Sequence, residues 1–397
     1  MTRPARSHWL ASAWLCNLCA CALMLLVGLV GALYANSVHL GLQPFGNDFL
    51  TFWSASRLVL DGHAIDAYDL GKLVAAAAQA YPQFGPPGPW FYPPLFLLMI
   101  APAALLPLWI TNLVYAAGGT ALLVLVLRRL LPYRYTMWWA LTLPGVWYNF
   151  IQGQNGCLST ALAALALFYL PRRAVLAGVL IGLLAFKPHL AILFPVVLAC
   201  GRHWRAFAAA AVTACALSAL PLLFFKADVY LAFLHGMGQA RQMLEHGQLT
   251  LAQAVGVFAS LRMRHLPLAP AYLFHFGLAA LAVIAAAYVW RTSREPGARA
   301  CVLVGATFMC SPYLYNYDAL WFVLPIVFLD EQARSTGWLT GERAVLVFAW
   351  MYPALGLWLA RHLDFSAGPF LSAALVGLGV RRAWGERRVV LAMPQRG

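Results

Sequence analysis

RRAVLAGVLIGLLAFKPHLAILFPVVLACGR, running from Arg172 to Arg202, is an apolar stretch with arginine at both ends and one polar interruption, Lys187-Pro188-His189. Its halves are continuous and Leu/Ala-rich rather than alternating, so they read as helix and not as strand. Arginine marks the cytoplasmic ends of membrane spans, and a run that begins and ends on it reads as a short in-and-out hairpin. The basic tip then lies part-way across the bilayer or at its outer surface. A lysine at membrane depth needs an anionic partner, and a lipid phosphate is one that the bilayer supplies.

Similar runs of about 13 to 25 residues recur along the chain, which predicts an all-α polytopic membrane protein with about twelve transmembrane helices. Of 397 residues, 62% are hydrophobic and only 10% charged, and the mean hydropathy is +0.73. Soluble domains carry about 25% charge, so water-soluble enzymes, nucleic-acid binders and disordered scaffolds are excluded despite the net charge of +14. The basic excess has another origin. Arg128, Arg129 and Arg134, Arg172 and Arg173, Arg202 and Arg205, Arg291 to Arg299, Arg334 to Arg343, and Arg381 to Arg388 fall on alternate turns. With Arg3, Arg6 and Arg396 they predict cytoplasmic termini in an inner (plasma) membrane. The first apolar run, Ala11 to Ala35, is too long for a signal-peptide core and reads as a retained anchor. The eight cysteines lie mostly inside apolar runs, where they read as small hydrophobes, and Cys16-x-x-Cys19 lacks the second ligand pair of a metal site.

This topology makes residues 1–397 a single transmembrane domain. Its polar residues collect on the opposite, extracytoplasmic side, in a first loop over 36–92, a second over 226–267, and shorter turns. In GNDFLTFWSASRLVLDG (Gly46 to Gly62), Asp48 opens a helix-like segment rich in aromatics. Either Asn47 or Asp48 simply caps that interfacial helix, or Asp48 is a general base flanked by rings that stack on sugars. Arg57 is placed to bind an anionic headgroup or to snorkel. GPPGPWFYPPLF (Gly85 to Phe96) reads as an aromatic belt with a stiff helix entry, or as a groove in which Trp90 to Tyr92 guide a lipid or sugar. The amides of YNFIQGQNG (Tyr148 to Gly156), Gln154 and Asn155 among them, suit phosphate or sugar hydroxyls and suit helix capping equally. In SPYLYNYDALWF (Ser311 to Phe322), Asp318 pairs with Lys187 or Arg57, or orients substrate hydroxyls.

In this order, the blocks resemble glycosyltransferase family 87, polytopic polyprenol-phosphate-sugar-dependent transferases with mannosyltransferases among them. The blocks are Asp48-Phe49 with Arg57 and Tyr68-Asp69, Tyr92-Pro93-Pro94-Leu95, Gly153-Gln154-Asn155, Lys187-Pro188-His189, and Ser311-Pro312 through Tyr317-Asp318. The resemblance implies a fold of the glycosyltransferase C type and transfer of a hexose or pentose from a polyprenyl phosphate on the outer face. It implies inversion at the sugar without a metal or other cofactor, with Asp48 as base. Two positions depart from the family pattern, which more often has Gln where this chain has His189, and in some members histidine in the block holding Tyr313 and Asp318.

The residues fit that chemistry. An inverting displacement needs one carboxylate to deprotonate the acceptor hydroxyl. Its phosphate leaving group needs cations and donors, for which Lys187, Arg57, Gln154 and Asn155 are the candidates, joined by Tyr92, His189, Tyr317 and Asp318 as substrate-binding residues. The expected partners are a polyprenyl-phosphate sugar, a glycolipid or polysaccharide acceptor and membrane lipids, with no nucleic acid. A lipid flippase or transporter is the rival from another class, though such proteins carry internal repeats and midplane polar sites that are not seen here. A non-catalytic member that binds polyprenyl phosphate is a third reading.

Overall fold

The computed structural model describes residues 46–133 and 135–392, with isolated positions at 18, 21, 22 and 25. The Ala11 to Ala35 run, Arg3, Arg6, Arg134, Arg396, Cys16 and Cys19 lie outside the described residues. Side chains beyond 386 are likewise not described.

From Gly46 onward the described chain is helical, without a named strand. The segment before the first long span holds α1 (Asn47–Leu60), a 3₁₀ turn at Ala64–Tyr68 and α2 (Leu70–Ala80), which Asp69 caps by accepting from the Lys72 amide. Next come α3 (Pro94–Ile100), α4 (Leu108–Leu130), α5 (Thr136–Leu141), α6 (Pro144–Gln152) and α7 (Gly156–Tyr169). The opening stretch forms α8 (Ala174–Gly182), α9 (Pro188–Ala191) and α10 (Phe194–Cys200). They are followed by α11 (Trp204–Ala219), α12 (Asp228–Glu245), α13 (Val257–Met263) and α14 (Leu268–Thr292). The chain closes with α15 (Pro296–Cys310), α16 (Val323–Thr336), α17 (Glu342–Leu363) and α18 (Gly368–Ala392).

Four helices among the described residues are long and apolar enough to cross a membrane: Leu108–Leu130, Trp204–Leu223, Leu268–Thr292 and Glu342–Leu363. The expected dozen is not confirmed: the first expected span lies largely outside the described residues, and proline and 3₁₀ turns cut several other apolar runs into shorter helices. Pro94, Pro144, Pro188 and Pro296 each open a helix, where a fixed φ and a missing N–H cost nothing. Within the opening stretch the α-helix tightens into a 3₁₀ turn at Leu183–Phe186 and breaks at Lys187. Each half of that hairpin, Ala174–Phe186 and Pro188–Cys200, extends about 20 Å, less than the ~30 Å of a hydrocarbon core.

Close backbone approach holds the helices together, as expected where lipid gives no hydrophobic incentive to associate. On α8, Gly178 and Gly182 lie four residues apart against α11. A Cβ on Gly178 would sit 2.3 Å from the Ala206 carbonyl oxygen, and one on Gly182 2.5 Å from the Thr213 Cβ. The α15–α18 crossing works alike, with Gly305 against the Ser372 carbonyl and Gly379 against that of Ala298. At the far end of α18, Arg382 donates two hydrogen bonds to Glu342, both 2.6 Å, in a buried fork. In α4 the two chemistries occupy opposite ends: Asn112 is buried near the start and Arg128 and Arg129 close the last turn.

Replacing Gly178 with valine forces α8 off α11 and lowers the stability of detergent-solubilised protein by about 1–3 kcal/mol. Gly118, on α4, has open space where a Cβ would go, so Gly118→Ala leaves the thermal unfolding midpoint unchanged or raises it.

Candidate active site

Two left-handed glycines bring the first polar pair together. Gly46 (φ 84°) caps the start of α1 without any side-chain cap, and Gly153 (φ 69°) caps the end of α6. Glycine adopts this conformation at no steric cost. The Gly46 amide donates to the Ile151 carbonyl at 2.9 Å, which joins the two turns. Asp48 therefore stands in the first turn of α1 but does not cap it; instead its Oδ2 accepts from Gln154 Nε2 at 2.8 Å.

Gln154 is oriented from behind. Its Oε1 accepts from the Tyr92 hydroxyl at 3.1 Å, leaving the amide NH₂ for Asp48. Tyr92 is itself fixed through its carbonyl, which accepts from the Tyr68 hydroxyl (2.9 Å) and from Trp90 Nε1 (3.1 Å). Trp90 is 2% exposed and packs edge-on to Phe52, so its ring belongs to the core and not to an exposed aromatic mouth.

The neighbouring Asn155 opens the second half of the site. Its Oδ1 accepts from Lys187 Nζ at 2.7 Å, and the same ammonium donates to Asp318 Oδ1 at 2.5 Å. Lys187 also lies over the Tyr317 ring, 4.7 Å from its centroid. Both charges are buried, at 1% and 0% exposure. Asp318 Oδ2 accepts from the Tyr315 amide (3.2 Å) and lies 4.0 Å from His189 Nε2, which has no hydrogen-bond partner among the described residues. Of the two partners the sequence allowed Asp318, the structure selects Lys187.

All the expected site residues except one thus form a single polar chain. Arg57 sits at the far end of α1, about 14 Å along the axis from Asp48, exposed and paired with Asp61 at 3.0 Å. Asn149 completes the chain: its Nδ2 donates to the carbonyls of Gly145 and Tyr317, and its Oδ1 accepts from the Gly156 amide. The outer turn is tied in separately. An isolated antiparallel bridge pairs Ala254 with Tyr315, the Val255 amide donates to the Leu314 carbonyl, and the Asn316 amide to that of Gln253. Spacing gave no sign of Asn112; the only signal was an amide within an apolar span.

The two carboxylates have opposite electrostatic settings. Asp318 is neutralised by Lys187. Among the described residues Asp48 receives only a neutral amide, and burial raises its proton affinity above the ordinary value of 3.8, opposed by the Gln154 hydrogen bond and the more distant Lys187 charge. Asp48, Tyr92, His189, Tyr315 and Tyr317 are partly exposed around a floor made by Lys187, Asp318 and Asn155. Such a pair, one carboxylate locked and one available, separates a structural charge from a group able to take a proton. Among the described residues no cluster of three or more His, Cys, Asp or Glu is placed to hold a metal ion.

An all-helical fold with membrane-length spans and this recess defines a membrane-embedded protein with a buried polar site. A family model for glycosyltransferase family 87 matches residues 90–312, more than half of the chain, and the chain belongs to that family. No curated protein and no solved structure shows a match. The matched segment contains Tyr92, Gln154, Asn155, Lys187 and His189, while Asp48 and Asp318 lie outside it and join it through the hydrogen bonds from Gln154 and Lys187.

Removing one partner of the Lys187–Asp318 pair strands a buried charge. Lys187→Met and Asp318→Asn each lower stability by about 3–5 kcal/mol, and Lys187→Met with Asp318→Leu recovers most of that loss. Thermal unfolding of the three purified variants checks this.

Proposed function

We propose that this membrane glycosyltransferase transfers a hexose or pentose from a polyprenyl-phosphate sugar to an acceptor hydroxyl at the extracytoplasmic face, with inversion and without a metal. The observation that carries the reading is the contrast between Asp48, partly exposed and held by a neutral amide, and Asp318, buried against Lys187. Asp48 takes the proton of the acceptor hydroxyl as its oxygen attacks the anomeric carbon. The bond from that carbon to the phosphate oxygen breaks, and its electron pair leaves with the phosphate. A phosphate leaves as a stabilised anion, so no general acid is required.

His189, whose buried Nε2 has no hydrogen-bond partner among the described residues, donates from it to the phosphate, and Lys187 and Asn155 supply field and donors behind it. A lipid-linked donor is supported by an apolar cavity of about 340 Å³. Leu95 and Met99 of α3, Leu158 and Leu162 of α7, Phe186 and Leu217 are among its walls. Phe186 immediately precedes Lys187, and Leu158 is three residues beyond Asn155, so lipid wall and headgroup ligands share the same elements. In this reading the isoprenoid chain of the donor takes that cavity and its phosphate the polar residues that follow Phe186.

The outward-facing reading rests on the arginines closing α4 at the end opposite the polar chain, together with the positive-inside tendency. It carries with it cytoplasmic termini, an inner-membrane location, a glycosyltransferase C type fold and an acceptor that is a glycolipid or polysaccharide. Family membership favours transfer over the flippase alternative.

The test is transfer of radiolabelled sugar from a panel of polyprenyl-phosphate donors to membrane lipid extracts. Asp48→Asn is expected to fold normally and to lower the rate about 10²–10⁴-fold; full activity in that variant removes Asp48 as the base. Because the base acts deprotonated and its proton affinity is raised, wild-type activity falls with decreasing pH along a limb lying above 3.8. A pH–rate profile at saturating donor measures that limb.

A further inference from the structure

Asn112 is wholly buried near the start of α4, among turns that are distant from it in sequence. A Cβ added to Gly46 would lie 2.3 Å from its Nδ2, and one added to Gly153 would lie 2.6 Å from its Oδ1. The carboxamide is therefore packed directly on both glycine backbones, with its face under Gly46 and its oxygen toward Gly153, beside the Phe49 Cβ. Gly46 stands two residues before Asp48 and Gly153 one residue before Gln154. The pair joined by the 2.8 Å hydrogen bond thus departs from two turns resting on one side chain.

We infer that Asn112 is a positioning residue, whose flat amide sets the distance between the turn carrying Asp48 and the turn carrying Gln154. A planar group suits the gap. Leucine, of similar length, places two methyls on a tetrahedral carbon where the glycine backbones leave no room. Alanine removes the contact and leaves the turns held by the Gly46–Ile151 hydrogen bond and the Phe49 contact, free to pivot about them, and the Gln154 bond to Asp48 weakens. Aspartate keeps the shape but sets a second carboxylate against Gly46, which disfavours charge on Asp48.

This inference takes Asp48 as the base of the transfer reading above, so its test has one arm that needs no transfer. Dicyclohexylcarbodiimide reacts with protonated carboxyl groups, and mass spectrometry of the peptide containing Asp48 gives the pH midpoint of labelling. Asn112→Ala is expected to move that midpoint up by about 1–2 pH units, the worth of one hydrogen bond to the carboxylate. Asn112→Asp is expected to move it up as well, with the fold retained.

In the transfer assay, Asn112→Ala is expected to lower kcat about 10–100-fold with the donor KM little changed. Asn112→Asp is expected to recover kcat at pH values above its shifted limb. Unchanged labelling midpoints in both variants overturn the inference, as does an Asn112→Ala enzyme that loses thermal stability while keeping wild-type kcat per folded molecule. Shifted midpoints in a protein that transfers no sugar from any donor leave the positioning role standing and remove the transfer reading.

Discussion

The pairing of Lys187 with Asp318 is the constraint around which the site is arranged. An ammonium and a carboxylate withdrawn from water each cost several kcal/mol, and their attraction offsets this only when the remaining donors and acceptors are satisfied. Here Asn155, the Tyr317 ring and the Tyr315 amide do so. The pair and those partners come from three separate stretches of chain, so the pair fixes α7, the break before α9 and the turn before α16 relative to one another. Its neutrality also leaves Asp48 as the carboxylate of the recess without a cation in direct contact.

The hairpin explains how a lysine reaches that position. Two helical halves too short to cross the bilayer meet at Lys187, and Pro188 opens the second half where its missing N–H is harmless. The charge is held inside the thickness of the protein. The lateral cavity beside Phe186 shares its wall with this break. One interruption in an apolar run thus supplies both a polar floor and the edge of an apolar groove.

Much of this was legible beforehand, because polar groups inside apolar runs are expensive and therefore conspicuous. Asp48, Tyr92, Gln154, Asn155, Lys187, His189, Tyr317 and Asp318 stood out on those grounds, and the structure gathers them. Arg57 stood out too, yet it lies near the exposed end of the otherwise buried α1, where a charge is cheap and Asp61 one turn away satisfies it. The length of individual spans was less legible, because mean hydropathy does not register the 3₁₀ turns at Ala101–Leu105 and Leu183–Phe186 that shorten helices. Asn112 was missed because its meaning lies in two glycines distant in sequence. A close approach of backbone to side chain leaves no periodic trace.

The bridge between Ala254 and Tyr315, with the flanking bonds from Val255 and Asn316, gives the second loop an uneven freedom. Its residues Gln253 to Val255 are stitched to the very turn from which Asp318 hangs, while α12 is tied instead to α13 and α14, its Glu245 accepting from Arg262 and Tyr272. Evolutionary change in loop length is therefore channelled into the short stretch from His246 to Thr250, between the end of α12 and Leu251. An insertion there only adds slack, whereas one between Leu251 and Val255 would drag the backbone of Tyr315 and pull Asp318 out of register with Lys187.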